Sequence, residues 1–160
     1  MPKALPWLAA AAAIVAADQL VKWLVAASFR YGELREVTGF FNLVLVYNKG
    51  AAFSFLADAP GWQGPLLVAF AALAAVVVSF LILRNPQKKL FCAGLALILG
   101  GAVGNVIDRL RFGHVVDFLD FHAFGWHWPA FNVADSAITT GAVLLILEGF
   151  VHERRARPSP

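Results

Sequence analysis

The sequence predicts an all-α integral membrane protein, with four transmembrane helices, a small extracytoplasmic β-sheet and an outer loop. Two observations carry this. Hydrophobic residues make up 60% of the chain and charged residues only 14%, and the mean hydropathy of +0.71 exceeds what the core of a soluble domain of this size needs. The apolar residues also gather in four runs, each near the roughly twenty residues that cross hydrocarbon as a helix. Residues 1–160 therefore read as a single polytopic membrane domain.

The first run, Ala4 to Ala27, is broken only by Pro6, the Asp18-Gln19 pair and Lys22, and predicts a helix over about 5–27. Lys3 before an Ala-rich stretch, with small residues at Ala16 and Ala17, also fits a cleaved signal peptide. The apolar pattern, however, continues past Asp18, and Asp18 and Lys22 have the acid-before-base spacing of one helical turn. An extracytoplasmic segment over about 28–64 follows, in which Phe40 to Phe55 reads FFNLVLVYNKGAAFSF. Its β-branched and aromatic residues, with a turn signal at Asn48-Lys49-Gly50, predict strands of a small sheet.

The run from Gly64 to Leu83 contains nothing more polar than Gly64, Pro65 and Ser79 and predicts a helix over about 65–84. Leu90 to Ile107, with Asn105 its only strongly polar residue, predicts the third helix over about 90–108. The connection over about 109–132 reads as an outer loop rich in Phe112, Phe118, Phe121, Phe124, Trp126 and Trp128, with residues 113–125 as a mobile lid. These rings, with Trp23 and Trp62, suit an aromatic belt at the lipid headgroups. The fourth helix spans about 133–151 and carries Asp135, Ser136, Thr139, Thr140 and Glu148.

Loop charges orient these spans. Lys3, Arg84, Lys88, Lys89, Arg154, Arg155 and Arg157 fall on one side, and Arg30, Arg35, Lys49, Arg109 and Arg111 on the other. The excess places both termini in the cytoplasm. The pI of 9.4 then reflects topology and attraction to anionic membrane lipid, and no Arg-rich arm with interleaved aromatics points to nucleic acid.

Asp117, in Val115-Val116-Asp117-Phe118, and Asp135, in Phe131-Asn132-Val133-Ala134-Asp135, are the first candidates for chemistry. A carboxylate in apolar surroundings is costly unless it is paired, hydrogen-bonded or protonated. The topology puts both at the outer boundary, Asp117 in the connection and Asp135 in the first turn of the fourth helix. There the helix dipole favours a negative charge, and Asn132 can cap the free amides. Two carboxyls brought together in a poorly solvated site share one proton over some pH range. One then activates water and the other protonates a carbonyl, as in aspartic proteases. Helix-end aspartates are equally common as structural caps or ion-pair members, so the pair alone does not settle the reaction.

Five segments decide it: Asp18-Gln19-Leu20-Val21-Lys22, Asn48 to Ser54, Gly100 to Arg109, Val115 to Phe118 and Phe131 to Asp135. In this order at the ends of four spans they resemble the bacterial signal peptidase II (lipoprotein signal peptidase) family. The resemblance implies an inner-membrane aspartic endopeptidase that removes signal peptides from prolipoproteins before a diacylglyceryl-modified cysteine. It implies Asp117 and Asp135 as the catalytic dyad, no cofactor, and binding of cyclic peptide inhibitors such as globomycin. Asp18, Lys22, Asn48, Gly50, Asn105, Asp108, Arg109, Asn132 and Ala134 are implied as supporting or substrate-binding residues.

The same residues also have physical readings of their own. Asp18 and Lys22 suit a structural intramembrane ion pair. Gly100 and Gly104 suit close helix approach, since no strand precedes them to make a phosphate loop. Asn105 can hold either a substrate backbone or a helix partner, Asp108-Arg109 can anchor and orient the outer segment, and Asn48 and Gly50 suit a turn. Asn132 can cap and also position Asp135.

Three other readings of these residues are weaker. A metal site from His114, Asp117, Asp120, His122 and His127 fits no zinc spacing. Nucleophilic catalysis lacks a base partner for Ser54 or Ser136, and Cys92 is a single thiol among apolar residues. A small transporter or proton channel using Asp18, Lys22, Asp108 and Asp135 lacks an internal inverted repeat.

Overall fold

A computed structural model describes residues 3–50 and 62–156. Helices α1 (Leu5–Ser28), α2 (Gln63–Arg84), α3 (Lys89–Phe112) and α4 (Val133–Ala156) are joined by strands β1 (Leu34–Thr38), β2 (Phe41–Asn48), β3 (Val115–Ala123) and β4 (Trp126–His127). All four helices are long and apolar enough to cross a membrane. Large side chains such as Phe70, Leu73, Val76 and Phe80 of α2 are exposed, as expected for faces whose solvent is lipid.

Helix α3 is the central element and packs against α1, α2 and α4. Its glycines make this possible. A Cβ on Gly94 would lie 2.9 Å from the Gly141 carbonyl oxygen of α4, so only a bare backbone lets these two helices cross so closely. At the end far from the sheet, Ala4, Ala11, Ile82, Leu95, Ala96 and Leu99 form the apolar core. There the Trp7 indole donates 3.1 Å to the Pro86 carbonyl in the tight α2–α3 turn.

The sheet is antiparallel, in the order β1-β2-β3-β4. It seats on the helices through Val25 of α1 against Leu45, Val116 and Phe118. The sheet begins at Leu34, earlier than the sequence pattern suggested, and the predicted strand residues 51–55 lie outside the described residues. The expected outer loop is largely strand. Helix α3 continues to Phe112 and stops at Gly113, whose φ of 75° is the left-handed conformation that ends a helix. Residues 115–123 then pair with β2 on one side, and with β4 and Phe131 on the other. Its backbone hydrogen bonds go to both neighbours, so the segment is part of the sheet. Val-Val-Asp-Phe-Leu-Asp-Phe-His could be recognised as a strand only once partner strands lay on both sides.

One irregularity positions the site. Leu43 pairs with Leu119, but Val46 pairs with Asp117, so β2 carries one residue more than β3 over this interval. This bulge reverses the facing of β2. Asn42 and Asn48 would otherwise share a face. With the bulge, Asn48 meets Asp117 on one face while Asn42 meets Asp120 on the other.

Candidate functional site

Four elements converge where the sheet meets the helices, around a buried ionic cluster. The Lys22 ammonium of α1 lies 2.8 Å from Asp18 Oδ2, 2.9 Å from Asp108 Oδ2 of α3 and 3.0 Å from Asn105 Oδ1, so its three protons have three acceptors. Asp18 Oδ1 accepts from the Ala134 amide at 2.9 Å, which fixes the start of α4 against α1. Asp108 also accepts from the Val116 amide at 3.2 Å and thereby aims β3. Gln19 donates to Asp108 Oδ1 at 2.8 Å and to the Gly104 carbonyl at 3.2 Å. The cluster sits on Gly104, where a Cβ would stand 2.6 Å from Asp18 Oδ2. The ion pair expected within α1 is therefore one arm of a junction joining α1, α3, α4 and β3.

Asp117 and Asp135 are brought together above this junction. Asp117 lies in strand β3 instead of the loop expected for it, and is 2% exposed. Asp135 stands in the first turn of α4. Asn132 joins them: its Nδ2 donates 2.7 Å to Asp117 Oδ1, and its Oδ1 accepts the Asp135 amide at 2.9 Å. Asp135 Oδ2 accepts in return from the Asn132 amide at 3.3 Å, a reciprocal cap of the helix start. Asn48 donates 3.1 Å to Asp117 Oδ2 and Asn105 donates 2.8 Å to Asp135 Oδ1. Both carboxyls are thus held by neutral amides, which orient them without neutralising either.

Burial, followed by the nearby charge of Asp135, pushes the Asp117 carboxyl up to about 7, against the opposing hydrogen bonds from Asn48 and Asn132. At neutral pH it holds a proton about half the time. A protonated carboxyl beside an ionised one is the arrangement that can polarise a carbonyl and deprotonate water together.

The other sequence-derived candidates fall around this pair. Asn105 is engaged by Lys22, Asn132 and Asp135, so it serves a helix-to-helix junction. Arg109 donates 2.8 Å to the Gly50 carbonyl and 3.4 Å to that of Asn105, tying the end of β2 to α3. Gly50 in turn donates 2.9 Å to Asn48 Oδ1, the turn chemistry expected there. Ser136 Oγ donates 2.9 Å to the Asn132 carbonyl, and Ser54 lies outside the described residues.

The five candidate metal ligands do not meet at one point: Asp120, His122 and His127 are neighbours through a hydrogen bond and a ring stack with centres 5.0 Å apart, while Asp117 and His114 lie elsewhere. Asp117 and Asp120 occupy opposite faces of β3, and the His114 ring packs tilted against Tyr47 with ring centres 4.2 Å apart. Asp120 instead accepts from Asn42 at 2.8 Å and contacts His127 Nδ1 at 2.9 Å. Burial works against the Asp120 charge, but these two partners hold its carboxyl below the ordinary carboxylate range. Among the described residues, no three His, Cys, Asp or Glu side chains gather as a metal site. Sequence reasoning assigned no role to Gln19 or Asn42. Gln19 carried a signal, a second polar group beside Asp18 in an apolar span. Asn42 carried none, because its facing depends on the bulge.

Comparison with known proteins identifies the family and the fold. The sequence model of the family described as Signal peptidase (SPase) II matches residues 10–151. A lipoprotein signal peptidase of Paraburkholderia phytofirmans is 59% identical over 152 residues, covering 95% of this chain and 88% of its own. One from Cupriavidus necator is 57% identical over 149 residues, covering 93% and 85%. A solved bacterial membrane enzyme superposes with a TM-score of 0.85 at 26% identity, covering 97% of this chain and 93% of its own. A second gives 0.76 at 29% identity, covering 89% and 90%.

Proposed function

The chain belongs to the signal peptidase II family and is a membrane-embedded aspartic peptidase that processes prolipoproteins, and from this premise we propose that Asp117 and Asp135 are its catalytic pair. The observation that carries the assignment is the shared Asn132, which binds both carboxyl-bearing residues. Asp135, at a helix N-terminus that favours its negative charge, takes a proton from the attacking water. Asp117, protonated about half the time at neutral pH, donates to the oxygen of the scissile carbonyl. The tetrahedral intermediate then collapses: the C–N bond breaks as the proton held by Asp135 passes to the leaving amine, and one hydroxyl returns its proton to Asp117 to restore the pair. Asn48, Asn105 and Asn132 orient the two carboxyls, while Asp18, Lys22, Asp108 and Ala134 hold α1, α3, α4 and β3 in the register that brings them together. Arg109 and Gly50 close the same side of the site.

The substrate in this proposal is a prolipoprotein whose cysteine after the scissile bond carries a diacylglyceryl group. Its apolar signal segment lies among the helices, and a cyclic peptide such as globomycin competes at the dyad. The charge asymmetry of the loops supports a bacterial inner-membrane location, with both termini cytoplasmic and the sheet on the outer face. The transporter alternative has no support: the chain matches the signal peptidase II family over residues 10–151, and Lys22 is held between Asp18 and Asp108.

Purified protein in lipid nanodiscs, given a diacylglyceryl-modified prolipoprotein, is expected to release the signal peptide with or without chelator. Asp117→Asn and Asp135→Asn are each expected to abolish cleavage. Retained turnover in either variant refutes the dyad, and loss on chelation that metal restores refutes the metal-free mechanism.

A further inference from the structure

The face of β3 that carries Asp117 continues away from the dyad into an aromatic cleft. On alternate residues it presents Asp117, Leu119, Phe121 and Ala123. Phe41 packs tilted against Phe121 with ring centres 4.8 Å apart, and Phe131 stacks on Phe121 at 5.8 Å. The β3–β4 hairpin adds Trp126, opposite Ala123, and Trp128, whose amide donates to the Phe121 carbonyl. Between Phe40, Phe121, His122, Ala123, Trp126, Trp128 and Phe131 is an open cleft of about 520 Å³, whose exposed surface is almost wholly apolar. At strand rise its floor at Phe121 lies about 13 Å from Asp117 along β3. Leu119, paired with Leu43, lies between the two along the strand.

From this continuity we propose that the cleft is a subsite for one acyl chain of the lipidated cysteine of the substrate, an inference that rests on the dyad reading above. The chemistry of the walls selects this occupant. A peptide segment buried there would leave its amides and carbonyls unpaired, whereas an acyl chain brings no such groups. The mouth is also set for lipid. Trp126 and Phe40 are exposed, and the two-residue turn holds Phe124 at a φ of 52°, with its side chain fully in the open. An L-residue reaches that conformation only at a cost. Rings displayed this way sit at the membrane interface, where the chain of a lipidated substrate already lies. Because the cysteine follows the scissile bond directly, its acyl chain can run along β3 while the carbonyl meets the dyad.

Filling the cleft with Ala123→Phe tests this, using one lipopeptide sequence made with long and with very short acyl chains. For the long-chain substrate, KM is expected to rise about tenfold or more, the effect of losing roughly two buried methylenes, with kcat within twofold. For the short-chain substrate, kcat/KM stays unchanged, which also shows that the variant folds. Equal effects on both chain lengths, or none on either, overturn the subsite. Since the parent cleaves both substrates in the same assay, that failure leaves the dyad reading standing. A photoreactive group on the substrate chain should crosslink to Phe121, Trp126 or Phe131. Crosslinks to these residues only from a phospholipid carrying the same group assign the cleft to bilayer lipid and overturn the proposal, as do crosslinks from the mature peptide alone.

Discussion

The raised protonation midpoint of Asp117 makes a testable statement about stability as well as catalysis. Its carboxyl moves from an ordinary 3.8 to about 7 in the folded protein, chiefly through burial. The ionised form is then disfavoured by about 4 kcal/mol relative to the unfolded chain. The folded state binds the proton more tightly, so the stabilisation is complete below the unfolded value and is lost as pH rises through the folded one. Between pH 5 and pH 8 the parent should lose about 2–3 kcal/mol from this group alone. Asp117→Asn removes the titration. It also turns an amide N–H toward one of the two donors, Asn132 or Asn48, that the carboxyl oxygens now accept, a pH-independent cost of about 1–3 kcal/mol. The inactive variant should therefore gain on the parent by about 2–3 kcal/mol between pH 5 and pH 8. Thermal unfolding of both proteins in one detergent across this range reads the difference, expected on the order of 5 °C. Parallel curves would refute the assignment of a buried, protonated Asp117.

Other consequences follow from the same geometry. The rate kcat/KM of the parent should fall as pH rises through about 7, where Asp117 loses the proton it donates; a rate still climbing at pH 8 contradicts that role. Lys22→Met leaves Asp18 and Asp108 buried without their cation and should cost about 3–5 kcal/mol, measured as loss of thermal stability. Restoring neutrality with Asp18→Asn and Asp108→Asn in the same chain should recover part of it. Gly104→Ala forces a methyl into the Asp18 carboxylate and should destabilise by about 1–3 kcal/mol, whereas Gly149→Ala, where a Cβ meets nothing, should be silent. Asn132→Ala should cost about 1 kcal/mol as a lost cap. Its larger effect should be on kcat, because both carboxyls lose their common partner; unchanged kcat removes Asn132 from the site.

Much of this architecture was legible in the chain. Four spans could be read because a helix in lipid satisfies its own backbone and needs only length and apolar composition. The aspartates could be singled out because a charge in apolar sequence is costly anywhere. The nature of the segment between α3 and α4 could not be read. A strand depends on neighbours distant in sequence, and β3 is defined by pairing with β2, some seventy residues earlier. For the same reason Asp117 was expected on a loop, and residues 113–125 were expected to move.

The supporting polar residues show the division most clearly. The i,i+4 spacing of Asp18 and Lys22 was enough to pair them. The capacity of Asn132 to cap α4 was also local, since a helix start exposes its own amides. That Lys22 also holds Asp108, that Asp18 receives the Ala134 amide, and that Gly104 makes room for this carboxylate required three helices to meet. The opposite facing of Asn42 and Asn48 required one extra residue in β2, which no periodic pattern announces. By itself, then, the sequence determined which residues lie in lipid, which helices cross it, and which costly side chains need a use. Only the tertiary structure decided which of those side chains meet, because hydrogen-bond geometry and the facing of a strand depend on register, and register is set by packing between distant segments.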